Sequence, residues 1–165
     1  MATNPKDRIK LTRREVIGIA WGISLVGLFG QAGTALLQFF KPRITPGGFG
    51  GEVVAGNLEE FQPGTVNYVP KGRFYVVRRE DGGVLALWQR CPHLGCTVPW
   101  REGENQFNCP CHSSFFNREG EVTGGPAPRP MDLFPVSLEE GKLVVDTGRP
   151  IPRQGFDESQ VFFPS

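Results

Sequence analysis

From Val16 to Phe40 the chain passes through twenty-five positions without one charged residue. As a helix, such a run is about 37 Å long, against a bilayer hydrocarbon core of about 30 Å. The pattern therefore predicts a transmembrane anchor over residues 16–40. A cleavable export signal would have an apolar region of only about 7–15 residues, so an uncleaved anchor is expected. Residues 1–15 form a polar, basic arm, and its adjacent Arg13-Arg14 matches a twin-arginine export signal. Five Lys/Arg precede the apolar run, and only Lys41 and Arg43 follow it closely. That asymmetry places the N-terminus on the cytoplasmic side and whatever follows the anchor on the outer side.

After the anchor the pattern changes twice. Lys41 to Gly51 reads KPRITPGGFGG, with neither helical nor strand periodicity, so 41–51 is expected to be a flexible linker of at most about 35–40 Å reach. From Glu52 the signals are strands and turns. Thr65–Val69, Phe74–Arg79 and Val84–Gln89 are rich in β-formers, and Asp81-Gly82-Gly83 marks a hairpin between the last two. Val136–Leu138 and Leu143–Asp146 flank Glu139-Glu140-Gly141-Lys142, a second hairpin. Between these outer strands lies a Gly/Pro-rich insertion, 91–130. Residues 52–148 thus read as an all-β head, an antiparallel base with an inserted subdomain. Ten of the thirteen phenylalanines follow residue 41 and can supply its core. The tail, 149–165, is interrupted by prolines and carries no motif.

At 165 residues the chain has room for one modest domain plus an appendage. Its net charge of +1 hides an asymmetry: residues 1–46 hold seven Lys/Arg against two acids, whereas 47–165 hold eleven against fifteen. The basic residues of the head are scattered, which argues against a nucleic-acid partner.

All four cysteines and both histidines fall in two short runs, Cys91-Pro92-His93-Leu94-Gly95-Cys96 and Cys109-Pro110-Cys111-His112. Three chemistries compete for them. Two disulfides would use the cysteines and leave His93 and His112 unexplained. A structural zinc wants four ligands in a closed tetrahedron, and six candidates are too many for one such site and too few for two. A 2Fe–2S centre with mixed cysteine and histidine ligation is the third.

The pattern C-x-H-x-G-C … C-x-C-H-x-S resembles the Rieske proteins of quinol-oxidising cytochrome bc and b6f complexes. Val98-Pro99-Trp100 resembles the chloroplast and cyanobacterial branch, and Gly125-Pro126-Ala127-Pro128 the family's proline-rich loop over the cluster. The resemblance implies one 2Fe–2S cluster, with Cys91 and Cys109 on one iron and His93 and His112 on the other. It also implies a disulfide between Cys96 and Cys111. Ser114 corresponds to a serine that donates to a bridging sulfide. Leu94 corresponds to an exposed apolar residue that shields the cluster and docks on the membrane partner, and His112 to the imidazole that meets quinol. Two positions depart from the family: Ser113 replaces the usual glycine, and Phe116 replaces a tyrosine that donates to a ligand sulfur.

Two imidazoles in place of two thiolates make the centre less negative, which raises its potential. Imidazole also carries an ionisable N–H, so electron and proton uptake can be linked at one site. Loss of the tyrosine donor at Phe116 should lower the potential somewhat and favours menaquinol as the reductant. The resemblance implies an electron-transfer subunit working with a cytochrome b-type membrane subunit and a c-type cytochrome acceptor, in a dimeric multisubunit complex. A bacterial cell membrane is expected ahead of a thylakoid. The small Rieske subunit of arsenite oxidase is the alternative, against which the Gly-Pro-Ala-Pro loop and the long anchor speak. Ring-hydroxylating oxygenases need a further 2-His-1-carboxylate iron site, and this chain has no histidine left to build one.

Overall fold

The computed structural model describes residues 11–41 and 49–164. Most of the expected basic arm and linker, residues 1–10 and 42–48, lies outside them. Two compact units emerge, Met1–Arg43 and Ile44–Ser165.

Among its described residues the first unit holds one helix, α1, Arg13–Phe39, long and apolar enough to cross a membrane. It starts three residues earlier than the charge-free run because Thr12 and Glu15 form a capping box. The Glu15 amide donates to the Thr12 hydroxyl at 3.4 Å, and the Thr12 amide donates to the Glu15 carboxylate at 2.7 Å. Arg13 and Arg14 therefore sit in the first helical turn rather than ahead of it. The side chains of α1 are exposed. Its hydroxyls are satisfied internally, Ser24 donating to the Ala20 carbonyl at 2.9 Å and Thr34 to that of Gly30.

The second unit is all-β, with eleven strands among the described residues: β1 (Glu52–Asn57), β2 (Val66–Val69), β3 (Phe74–Arg78), β4 (Val84–Trp88), β5 (Trp100–Arg101), β6 (Gln106–Asn108), β7 (Phe115–Phe116), β8 (Val122–Gly124), β9 (Leu133–Phe134), β10 (Val136–Glu139) and β11 (Lys142–Asp146). They form three antiparallel sheets, ordered β1-β11-β10, β2-β3-β4-β9 and β5-β6-β7-β8. The expected strands β2 to β4, both hairpins and the β10–β11 pair are present within a residue or two. The Gly/Pro-rich insertion, to which the sequence assigned no strands, builds a small sheet of its own.

Strands β3 and β4 explain how the sheets are held together. Phe74, Val76, Val84 and Ala86 pack with Val53, Leu143 and Val145 of the outer sheet. The alternate residues, Tyr75, Val77, Leu85 and Leu87, face a second cluster with Val98, Phe107, Phe116 and Met131. A sheet covered on both faces loses the apolar–polar alternation of a half-exposed one, and four consecutive residues of each strand are buried. Cys91 and Cys109 belong to the second cluster. The site is thus built onto the core.

Candidate metal centre

The two Cys/His runs form loops at one end of the insertion sheet, the first between β4 and β5, the second between β6 and β7. Each is closed by the same pair of backbone hydrogen bonds. In the first, the Cys91 amide donates to the Cys96 carbonyl at 2.8 Å and the Gly95 amide to the Cys91 carbonyl at 2.9 Å. In the second, the Cys109 amide donates to the Ser114 carbonyl at 2.9 Å and the Ser113 amide to the Cys109 carbonyl at 3.1 Å. The fifth residue of each loop is left-handed, Gly95 at φ 82° and Ser113 at φ 55°.

This closure turns the side chains of both loops toward one another. The His93 and His112 rings meet edge to face with centroids 5.0 Å apart. Cys96 and Cys111 are joined by a disulfide, with Cα atoms 6.7 Å apart. Cys91 and Cys109 are free and buried. His112 is exposed and His93 only partly so, while Leu94 projects from the tip of the first loop, 68% exposed.

The sulfurs of Cys96, Cys109 and Cys111 lie within 4.8 Å of one another, but two of them are spent in the disulfide and offer no thiolate. The donors that remain are two buried thiols and two imidazoles. Burial pushes the Cys91 thiol up; the His93 backbone N–H pulls the other way, and the neighbouring Cys109 thiol adds to the rise.

Ser114 supplies an independent test. Its hydroxyl is completely buried beside the Cys91 thiol and, among the described residues, reaches no acceptor in hydrogen-bond geometry. A buried hydroxyl without a partner is costly. A metal centre on these residues would turn the two thiols into thiolate acceptors, and a 2Fe–2S group would add sulfides that could also accept from this hydroxyl, so the residues fit such a group.

The Gly125–Pro128 segment abuts the second loop. Gly125 has φ 86°, and a Cβ there would run into the Ser113 carbonyl and lie 2.5 Å from the Ser114 Cα. Only glycine permits so close an approach of two backbones. Ala127 points inward to the cluster of side chains that includes Cys91 and Cys109, whereas Pro126 and Pro128 are exposed. Phe116 is fully buried.

Three features of the site escaped the sequence reading. Arg90 lies over the Trp88 ring at 5.2 Å and, with Pro92, His93, Leu94, Arg129 and Asp132, borders a cavity of about 300 Å³. Arg129 and Asp132 form a bidentate ion pair beside it, a pairing that their i, i+3 spacing could have suggested. Arg153, from the unassigned tail, is buried against the segment that carries the proline-rich loop. No motif or periodicity announces it.

Residues 51–135 match the Rieske [2Fe-2S] domain. The chain is 30% identical over 161 residues to the cytochrome b6-f complex iron-sulfur subunit 1 of Synechocystis sp., spanning 87% of this chain and 90% of that protein. It is 34% identical over 160 residues to the cytochrome b6-f complex iron-sulfur subunit of Prochlorococcus marinus, spanning 85% and 87%. Among solved structures, naphthalene 1,2-dioxygenase superposes with a TM-score of 0.50 at 19% identity, over 61% of this chain and 27% of that one, a likeness of fold alone.

Proposed function

The chain belongs to the Rieske family of 2Fe–2S proteins, and from that membership we propose that it is the electron-transfer subunit of a membrane cytochrome bc- or b6f-type complex, taking electrons from quinol and passing them to a c-type cytochrome or similar acceptor. In this reading Cys91 and Cys109 hold one iron and His93 and His112 the other. The bound 2Fe–2S group supplies a one-electron site whose imidazole ligands allow proton uptake to accompany reduction.

The residues divide the remaining work. The disulfide fixes the two loops relative to each other. Ser114 donates its orphaned hydroxyl to the group, and Ala127 with the Gly125–Pro128 backbone keeps water away from it. His112, the more exposed imidazole, meets quinol and takes its proton, while Leu94 offers an apolar contact to a cytochrome b-type subunit. Helix α1 anchors the protein in the bilayer, with its N-terminus cytoplasmic and the β head on the outer side of a bacterial cell membrane. Phe116 cannot donate to a ligand sulfur, which favours menaquinol as the reductant. The parent complex is dimeric.

One observation carries this reading: two loops with matching closure bring two buried free thiols, two imidazoles and one unpartnered hydroxyl to a single place. Isolating the full chain in its native complex provides the test. Two irons, two acid-labile sulfides and a cytochrome b-type partner are expected. Co-purification with a molybdenum subunit, or zinc in place of iron, would contradict it.

A further inference from the structure

The tail beyond Arg149 has no periodicity, yet it is fixed to the base at two points. Ile151 exchanges both backbone hydrogen bonds with Leu133, at 2.8 and 3.1 Å, and Phe162 does the same with Val84, at 2.8 and 3.0 Å. Between these anchorages the tail turns toward the insertion. There the Phe156 amide donates to the Glu121 carboxylate at 3.0 Å. Arg153, only 4% exposed, sends Nε to the Met131 carbonyl at 2.8 Å, Nη2 to the Glu119 carbonyl, and Nη1 to the Gln160 side chain at 3.1 Å.

Glu119 and Met131 are the two stems of the segment that contains β8 and Gly125–Pro130. The stems also meet directly, the Met131 amide donating to the Gly120 carbonyl at 2.9 Å. Gly120, at φ 77°, makes room for the guanidinium: a Cβ there would lie 2.7 Å from Arg153 Nη2 and 2.9 Å from Leu87 Cδ2. Burial pulls the Arg153 pKa down to about 10, against the opposing pull of Glu121, Asp132 and Glu119. No carboxylate pairs with it directly among the described residues. A buried cation held mainly by carbonyls is a poor source of stability, but its planar fork can fix two strands of backbone at a set separation.

We propose that Arg153 is a positioning residue for the metal centre: it clamps the two stems at Glu119 and Met131 and so holds Gly125 and Ala127 against the second ligand loop and the buried cysteines. The path is short. Gly125 touches the backbone of Ser113 and Ser114, and Ala127 belongs to the buried cluster that also holds Cys91 and Cys109. The inference rests on the ligand assignment above, and its test must separate the two.

The full chain carrying its metal is compared with Arg153→Gln, Arg153→Lys and Phe162→Ala, the last loosening the tail where its side chain packs on the cluster shared with the outer sheet rather than on the one that contains Met131. Amide hydrogen exchange, the reduced-state paramagnetic spectrum and iron content are measured for each. Arg153→Gln should speed exchange in residues 119–131 and 109–114 by about tenfold or more and shift the spectrum, and Arg153→Lys should restore part of both. Phe162→Ala should lower the melting temperature and leave both readouts at their parental values. Parental exchange and spectrum in folded, iron-loaded Arg153→Gln would overturn the proposal, as would the same changes in Phe162→Ala. If Arg153→Gln does not fold, Arg153→Lys decides, because one ammonium cannot span both carbonyls; parental behaviour there overturns the clamp. A parent without two irons would instead overturn the ligand assignment, and exchange of 119–131 in the metal-free chains would still read the clamp.

Discussion

The two ligand loops share a backbone but not a means of support. Both are six residues long, and both close through the same two hydrogen bonds around a left-handed fifth residue. The first places glycine at that position. The second places Ser113 there at φ 55°, a conformation costing a non-glycine residue about 1–2 kcal/mol. The first loop follows β4 directly and its tip projects outward, with Leu94 exposed. The second is pressed from outside by Gly125. Their disulfide joins unequal positions, the last residue of the first loop and the third of the second. A repeated backbone therefore yields two unlike environments, a projecting loop suited to docking and a strained loop held down by a neighbouring segment.

The largest effect expected is from removing a ligand. His93→Ala and His112→Ala should each abolish the reduced-state paramagnetic signal, because neither loop can complete the centre alone. A variant that keeps a parental signal would show that its loop contributes no histidine ligand.

The disulfide comes next. Cys96 and Cys111 are 15 residues apart, and a cross-link of that span contributes about 3 kcal/mol by chain entropy. Cys96→Ser should assemble the centre but lower its resistance to denaturant by about that amount. Unchanged resistance would mean that closure and the Gly125 contact already fix the loops. Gly125→Ala addresses that contact directly. The clash it creates is with backbone, which cannot move aside cheaply, and the positive φ adds strain. A loss of about 2–3 kcal/mol in holoprotein unfolding is expected.

Phe116→Tyr should act on the potential rather than on stability. A new hydrogen bond to a ligand sulfur favours the reduced state by about 1–1.5 kcal/mol, or about 40–65 mV for one electron. A redox titration at fixed pH reads it directly, and no rise would mean that another donor already serves the sulfur. The smallest effect compares the two left-handed positions. Ser113→Gly should stabilise the head by about 0.5–1 kcal/mol, the relieved strain less glycine's entropy cost. Gly95→Ser should destabilise by a similar amount, since its Cβ would meet Arg90 Nε at 2.9 Å, the end of a movable side chain. Equal signs in denaturant melts would dissolve the distinction.

The ligand positions were legible because cysteine and histidine are rare here and confined to two runs. Strands β2 to β4 were legible because β-formers cluster between strong turn signals. The insertion sheet was not. Its strands are two or three residues long, too short for a period of two to register among glycines and prolines. Strand β1 was hidden by a register shift between Val54 and Gly56. Arg153 was hidden because its partners are carbonyls of residues 22 and 34 positions away, and carbonyls carry no sequence signal.

The central claim is that both loops deliver a histidine to one 2Fe–2S centre. The chain contains only two histidines, so labelling all histidine with nitrogen-15 labels only His93 and His112. Electron–nuclear double resonance on the reduced, full-length protein should show two strongly coupled labelled nitrogens on one iron. Iron that shows one such coupling or none, or a site filled by zinc, would contradict the account.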